Sequence, residues 1–445
     1  MNTKLRIGNY LAIAFMLFAL FFGAGNLIFP AQLGQLSGDN LTPAIIGFLA
    51  TGVGLPFLGI MAMGFSGKNN LQELASRVHP IYGLAFTALL YLTIGPFFAA
   101  PRTGTVAYEV GIAPYVSDGA HSTVLLIFTG VFFLITLLFS LFPSKIVDNI
   151  GKFLAPALVI LLLVLLAVAF FNPMGSIQSP DETYQSAAFF TGFIEGYNTM
   201  DALAALVFGI IIINVIKGFG ITNNNQILSA VTKIGLTSTA LLAIIYVGIS
   251  YLGATSVTEL GVFDNGGPVL SGAASHYFGT FGAILLAAII ILACLTTAIG
   301  LVTANAEYFH SLIPAIGYKP FVFFFSILTF VVANFGLENI ISYSVPVLMF
   351  LYPLAMVLVL LTFVSPIFNH SRLVYIPTIA VTFLFSIIDG LVALYGSLEL
   401  ELPEWLDVLV ETLGDVLPLY AEGLGWLIPA AVVAVIMIII AKVKD

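Results

Sequence analysis

Phe21-Phe22-Gly23-Ala24-Gly25-Asn26-Leu27-Ile28-Phe29-Pro30 lies inside the first long apolar segment of the chain, which runs from about residue 7 to 36. A helix needs roughly 20 residues to cross a bilayer, and this segment has them. Its middle suits a helix poorly. Each Gly costs about 1 kcal/mol relative to Ala in a helix interior, and Asn favours caps and turns. A spanning helix that opens at mid-depth exposes backbone groups, which are tolerated only where protein buries them or where they line a cavity. Two readings follow: a binding site around which the other helices assemble, or close helix packing through small residues.

The rest of the chain favours a membrane setting. Of 445 residues, 60% are hydrophobic and only 8% are charged. No soluble domain has that composition; it is that of a polytopic helical membrane protein. The single cysteine, Cys294, sits in an apolar run and has no partner for an internal disulfide. The net charge of −9 argues against a nucleic-acid partner. Lys4 and Arg6 precede the first segment as in a signal peptide, but the run is longer than such a core and similar segments follow, so it is expected to be retained as a first helix.

About twelve apolar segments follow one another, at roughly 7–36, 41–66, 80–112, 121–141, 152–172, 187–216, 225–254, 279–308, 320–335, 337–364, 373–395 and 425–442. The first, third, sixth and eighth exceed what a bilayer needs and must tilt, break or protrude. Basic residues alternate with these segments. Lys4, Arg6, Lys68, Arg77, Lys145, Lys152, Lys217, Lys233, Lys319, Arg372, Lys442 and Lys444 all fall on one side. The other side carries Asp39, Asp118, Asp181, Glu182, Glu259, Asp264 and Glu338. Positive charge marks the cytoplasmic face, so both termini are expected there. Residues 396–424 are not a span. Leu402, Leu406, Leu409, Leu413 and Val416 recur at helical spacing between acids, beside Trp405, which predicts an amphipathic helix on the outer interface.

A repeat is embedded in the order. Asp148-Asn149-Ile150 precedes Pro156 as Glu338-Asn339-Ile340 precedes Pro346, and Val131-Phe132-Phe133 corresponds to Val322-Phe323-Phe324 at nearly the same upstream offset. Segments four and five therefore match nine and ten, with opposite direction through the membrane. Inverted five-helix repeats are a feature of secondary transporters, whose substrates bind near the midplane at discontinuous helices. The division is residues 1–172 for the first repeat, 173–364 for the second, and 365–445 for two further helices and the acidic segment. Segment six then corresponds to segment one and should also break. Its middle reads Glu195-Gly196-Tyr197-Asn198-Thr199-Met200-Asp201, where Gly196 is a natural stop and Asn198 with Asp201 suggests a cap for the inner half. Amides at the start of one half-helix suit a carboxylate, and carbonyls at the end of another suit an ammonium group or a metal cation. An amino acid fits both. Ala293-Cys294-Leu295-Thr296-Thr297 in segment eight offers paired hydroxyls, unless these bond back to their own helix.

Residues 21–30, Pro96-Phe97-Phe98-Ala99-Ala100-Pro101-Arg102-Thr103-Gly104-Thr105 and Gly196-Tyr197-Asn198-Thr199-Met200-Asp201-Ala202-Leu203 resemble the bacterial branched-chain amino acid:cation symporter family over essentially the whole chain. The resemblance implies an all-α membrane protein of the LeuT-like 5+5 inverted-repeat fold, with discontinuous helices one and six and two extra C-terminal helices. It also implies sodium-coupled uptake of leucine, isoleucine and valine across a bacterial plasma membrane. The partners implied are the amino acid, a sodium ion as coupling ion and the lipid bilayer, with no other cofactor and no ATPase subunit. It places sodium among the carbonyls of Ala19, Phe22 and Ala293 and the hydroxyls of Thr296 and Thr297. Candidate substrate contacts are Gly23, Ala24, Gly25 and Asn26 on segment one and Gly196, Tyr197, Asn198 and Thr199 on segment six, with the carboxylate near the amides of Ala24 and Gly25. This chain has one residue fewer between the Asn and the Pro than the wider superfamily.

Ionisable residues inside a membrane segment are functional candidates. Arg102 is expected to pair with Glu109, Glu195 or Asp201, as a gate or as a structural network. Five histidines fall near segment ends, which favours sodium over a proton relay, although Glu195 or Asp201 leaves proton coupling open. A channel is a further alternative. An enzyme is disfavoured, since the chain has no His-x-x-x-His, no Gly-x-Ser-x-Gly and no large soluble loop, and a primary pump is disfavoured by the lack of a phosphate-binding loop.

Overall fold

A computed structural model describes residues 5–142 and 155–444 of the chain. Lys4, Lys145, Lys152 and the Asp148-Asn149-Ile150 half of the repeat lie outside the described residues. The described residues form helices joined by turns. Segment one is two helices, Ile7–Phe21 and Gly25–Ser37. Segment two is Leu41–Leu49 and Leu55–Ser66, joined through a wide π-helical turn at Ala50–Gly54. Segment three is Pro80–Leu92 and Ala99–Gly111, and segment four is His121–Ser140. Segment five is Ala155–Phe171. Segment six divides into Ala188–Glu195 and Asp201–Gly218. Segments seven to eleven are Asn224–Leu260, Gly267–Leu312, Tyr318–Ala333, Leu337–Val364 and Arg372–Ser397, and segment twelve is Leu427–Lys444.

Eight helical stretches among the described residues are long and apolar enough to cross a membrane, and four shorter apolar helices accompany them. One stretch, Gly25–Ser66, takes in the second half of segment one together with segment two. Helical continuity and crossings are therefore different quantities here. The acidic region holds its own helix, Glu404–Val416, with Leu406 buried and Trp405 exposed. Outside the membrane, Asp181 accepts the Thr183 N–H at 3.1 Å, and this cap holds its carboxyl below the ordinary aspartate range.

Lipid tails are as apolar as leucine, so helices associate through close packing and hydrogen bonds more than through escape from water. Segment seven lies so close to Gly25–Ser37 that a Cβ on Gly34 would overlap the Ser250 carbonyl oxygen. Segments four and nine, the matched pair of the repeat, pack together and run antiparallel. The Tyr318 hydroxyl, at the start of segment nine, donates to Ser140 O, at the end of segment four, at 2.7 Å, and Asn334 Nδ2 donates to Thr129 Oγ1 at 3.2 Å. Segment one is buried around its break, where residues 21–31 are all buried, as are residues 196–209 of segment six.

Candidate functional site

The first helix stops at Phe21 and the next begins at Gly25. In an unbroken helix the Gly23 N–H would bond back one turn; here it donates to Asn26 Oδ1 at 2.9 Å. The Asn26 side chain therefore holds the break open from within. Its Nδ2 is equally committed: it donates to Asp201 Oδ2 at 2.5 Å and contacts the Tyr246 hydroxyl, which itself donates to Asp201 Oδ2 at 2.7 Å. All three side chains are buried. Polar groups at such depth must satisfy each other, and this triad ties segment one to segments six and seven.

Segment six breaks where segment one does. The first half-helix ends at Glu195, a 3-10 turn covers Gly196–Thr199, and the second half-helix starts at Asp201. Met200 between them has φ 63°, a left-handed conformation that a residue with a Cβ adopts only under constraint. The expected Asn198 cap does not form. Asn198 Nδ2 turns back to Glu195 Oε2 at 2.9 Å, and the Asp201 N–H meets Thr199 Oγ1 at 3.3 Å instead. The left-handed Met200 changes the chain direction, which takes Asn198 away from the start of the second half-helix.

Segment three, one of the overlong segments, also breaks, at a place its length alone did not specify. Gly95 has φ −88° and ψ −119° within a wide turn at Thr93–Phe97, and Pro96 follows. The helix resumes at Ala99 and carries Arg102 inward. Arg102 Nη2 lies where a Cβ on Gly25 would be only 2.9 Å away, and its guanidinium carbon is 5.0 Å from the Phe29 ring centre. Only glycine at position 25 leaves room for this approach.

These breaks enclose a cavity between segments one, three, six and eight. Gly23, Ala24, Gly25, Asn26, Arg102, Thr199, Asp201 and Thr297 supply its polar wall, and Leu20, Ile94, Phe208 and Leu301 its apolar one. It is narrow: about 30 Å³ admits the centre of a water molecule. Of the expected segment-six contacts, Thr199 lines this cavity. Gly196, Tyr197 and Asn198 do not. Gly196 is pressed against Thr51 of segment two, and Tyr197 stacks on Tyr352 with ring centres 4.1 Å apart. The expected charge network also separates. Asp201 is held by Asn26 and Tyr246, Glu195 by Asn198, and Arg102 Nε and Nη1 have no hydrogen-bond partner among the described residues. Glu109 stands further along segment three, near Gly267.

Two threonines on segment eight behave differently. Thr296 Oγ1 returns to the Ala293 carbonyl at 2.8 Å, as threonine commonly does in membrane helices. Thr297 Oγ1 is buried without a hydrogen-bond partner among the described residues, and its side chain meets the chain break, with Oγ1 3.5 Å from where a Gly23 Cβ would stand. Ala293 is buried on the same helix, while Phe22, 1% exposed, closes the first half of segment one. Among the described residues no cluster of His, Cys, Asp and Glu is built to hold a metal ion. Tyr246 is a member of the site that the sequence-based expectations do not include. Its signal was available: a tyrosine hydroxyl deep in an apolar segment needs a partner.

A family model for branched-chain amino acid transport proteins matches residues 7–444. The branched-chain amino acid permease BrnQ of Bacillus subtilis (strain 168) is 48% identical over 430 residues, covering 97% of this chain and 96% of its own length. The branched-chain amino acid transport system 2 carrier protein of Pseudomonas aeruginosa is 42% identical over 438 residues, covering 98% and 97%. Among solved structures, MhsT in complex with L-phenylalanine superimposes with a TM-score of 0.58 at 16% identity over 97% of this chain and 98% of its own. Mhp1, a nucleobase-cation-symport-1 family transporter in a closed conformation, gives a TM-score of 0.58 at 15% identity over 86% and 90%. At these identities the two structures speak to the fold alone.

Proposed function

The chain belongs to the branched-chain amino acid transport protein family, and from that premise we propose a secondary active symporter that carries leucine, isoleucine and valine inward with sodium by alternating access. Its relatives are named as permeases and carriers, so it is a transport protein and not an enzyme. The observation that carries the mechanism is the meeting of two helix breaks on one buried cavity, joined by Asn26, Asp201 and Tyr246. A break at the same depth in two helices lets their halves tilt separately, which is what alternating access requires. The cavity is too narrow for an amino acid without such movement.

Sodium is supported by Thr297. A buried hydroxyl oxygen with no partner beside the end of a half-helix is a ligand type that suits a hard cation. In this reading the carbonyls of Ala19, Phe22 and Ala293 complete the site, and Thr296, whose proton goes to the Ala293 carbonyl, still offers its oxygen lone pairs. Proton coupling is the second reading, favoured by one observation: Asp201 is a buried carboxyl in the cavity wall and can carry a proton. Twelve crossings, cytoplasmic termini and inverted repeats over 1–172 and 173–364 complete the proposal.

Labelled leucine uptake into proteoliposomes separates the two readings. A sodium gradient is expected to drive accumulation that a proton gradient of equal size does not. Thr297→Val is expected to raise the sodium concentration for half-maximal uptake by about 10-fold or more, and Thr296→Val by less. Uptake that follows the proton gradient alone, or unchanged sodium dependence in Thr297→Val, would remove the sodium site.

A further inference from the structure

Arg102 is the part of the cavity that the transport cycle above leaves without a task. Its side chain is 2% exposed, and its Nε and Nη1 have no hydrogen-bond partner among the described residues. Arginine stays charged at any physiological pH, so a buried guanidinium of this kind carries a large desolvation penalty until an anion meets it. Asp201 attracts it through space, but among the described residues no carboxylate is in ion-pair contact with it. Glu195 Oε2 receives the Asn198 amide at 2.9 Å, and Asp201 Oδ2 receives Asn26 at 2.5 Å and Tyr246 at 2.7 Å. The Phe29 ring faces the guanidinium at 5.0 Å, a contact that steers a cation without neutralising it.

The guanidinium is nonetheless well placed. It stands over Gly25, the first residue of a helix whose N-terminal amides and dipole favour the same anion. A planar fork of N–H donors matches the two oxygens of a carboxylate. Asp201, the one carboxylate in the same cavity wall, offers the opposite charge, and Leu20, Ile94, Phe208 and Leu301 offer apolar surface. One wall therefore presents a cation, an anion and a greasy patch.

We propose that Arg102 receives the carboxylate of the transported amino acid and that Asp201 accepts from its ammonium group. The pair makes the site require a free zwitterion, while the apolar wall accommodates the branched side chain. This rests on the reading of the chain as an amino-acid transporter. It replaces the idea of Arg102 as one half of an internal ion pair, because bound substrate becomes the missing counter-ion.

The test is equilibrium binding to the purified, full-length protein in detergent, with three probes of one shape. Leucine carries both charges, leucinamide lacks the carboxylate, and 4-methylpentanoate lacks the ammonium. The wild type is expected to prefer leucine to each of the others by about 30-fold or more, the scale of a buried charge-assisted bond. Arg102→Gln is expected to lose the preference over leucinamide and to keep the preference over 4-methylpentanoate. Asp201→Asn is expected to do the reverse. Arg102→Lys keeps the charge without the fork, and should retain a reduced preference over leucinamide. If Arg102→Gln does not yield monodisperse protein, the Lys variant decides the matter. A full wild-type preference over leucinamide in either Arg102 variant would overturn the assignment, whereas failure of the wild type to bind leucine, isoleucine or valine would overturn the proposed function itself.

Discussion

A single side chain, Asn26, serves two tasks that a helix cannot perform. Its Oδ1 takes the Gly23 N–H, which replaces the lost turn of helix, and its Nδ2 reaches Asp201 and Tyr246 across the bundle. Each member of the triad depends on the others, since a buried polar atom stripped of its partner costs more than its bond is worth when made. Tyr246→Phe removes one donor from Asp201 without changing the packed shape, and is expected to destabilise the protein by about 1–3 kcal/mol, read as a lower thermal midpoint in detergent. A midpoint equal to wild type would mean that the hydroxyl is not held by Asp201. The same residues show the reach of the sequence. Asn26 and Asp201 both stand out as polar atoms within apolar runs, but their mutual contact spans 175 positions and nothing local announces it.

At the scale of elements, three breaks border the cavity and close packing forms the frame. The breaks in segments one and six fall where Gly and Asn stand in apolar runs, where a helix needs neither. The break in segment three is written less plainly. Gly95-Pro96 weakens a helix, but proline also occurs inside unbroken segments here, as at Pro346 and Pro353 within Leu337–Val364. Which proline interrupts a helix depends on whether neighbouring elements satisfy the freed backbone groups. Packing between Gly25–Ser37 and Asn224–Leu260 depends on having no Cβ at Gly34. Gly34→Leu is expected to separate these two helices and to lose more than about 2 kcal/mol, seen as a fall in folded yield and thermal midpoint. Gly119→Ala is the control, because nothing lies within 4 Å of a Cβ there. Equal behaviour of the two variants would show that the contact at Gly34 is unimportant.

For the whole molecule, the arrangement of charge along the chain makes a claim about sidedness that labelling can check. Cys294 is buried, so the unaltered protein is expected to resist a membrane-impermeant maleimide. Asn69→Cys, in the basic turn after segment two, and Asp264→Cys, in the acidic turn before segment eight, are both exposed positions. They are expected to label from opposite sides of sealed vesicles, and labelling from the same side would break the proposed topology. Composition by itself determined that this is a helical membrane protein, and local glycine and asparagine placement determined where segments one and six open. Those are properties of short stretches, written in transfer free energy and helix propensity. Only the tertiary structure decided that Tyr246 joins the site, that Asn198 and Tyr197 turn away from it, that Thr296 and not Thr297 bonds back to its own helix, and that among the described residues no acid is in ion-pair contact with Arg102. A segment that is apolar on nearly every face has no sequence-encoded rotational phase, so which of its few polar atoms face one another is settled by packing alone.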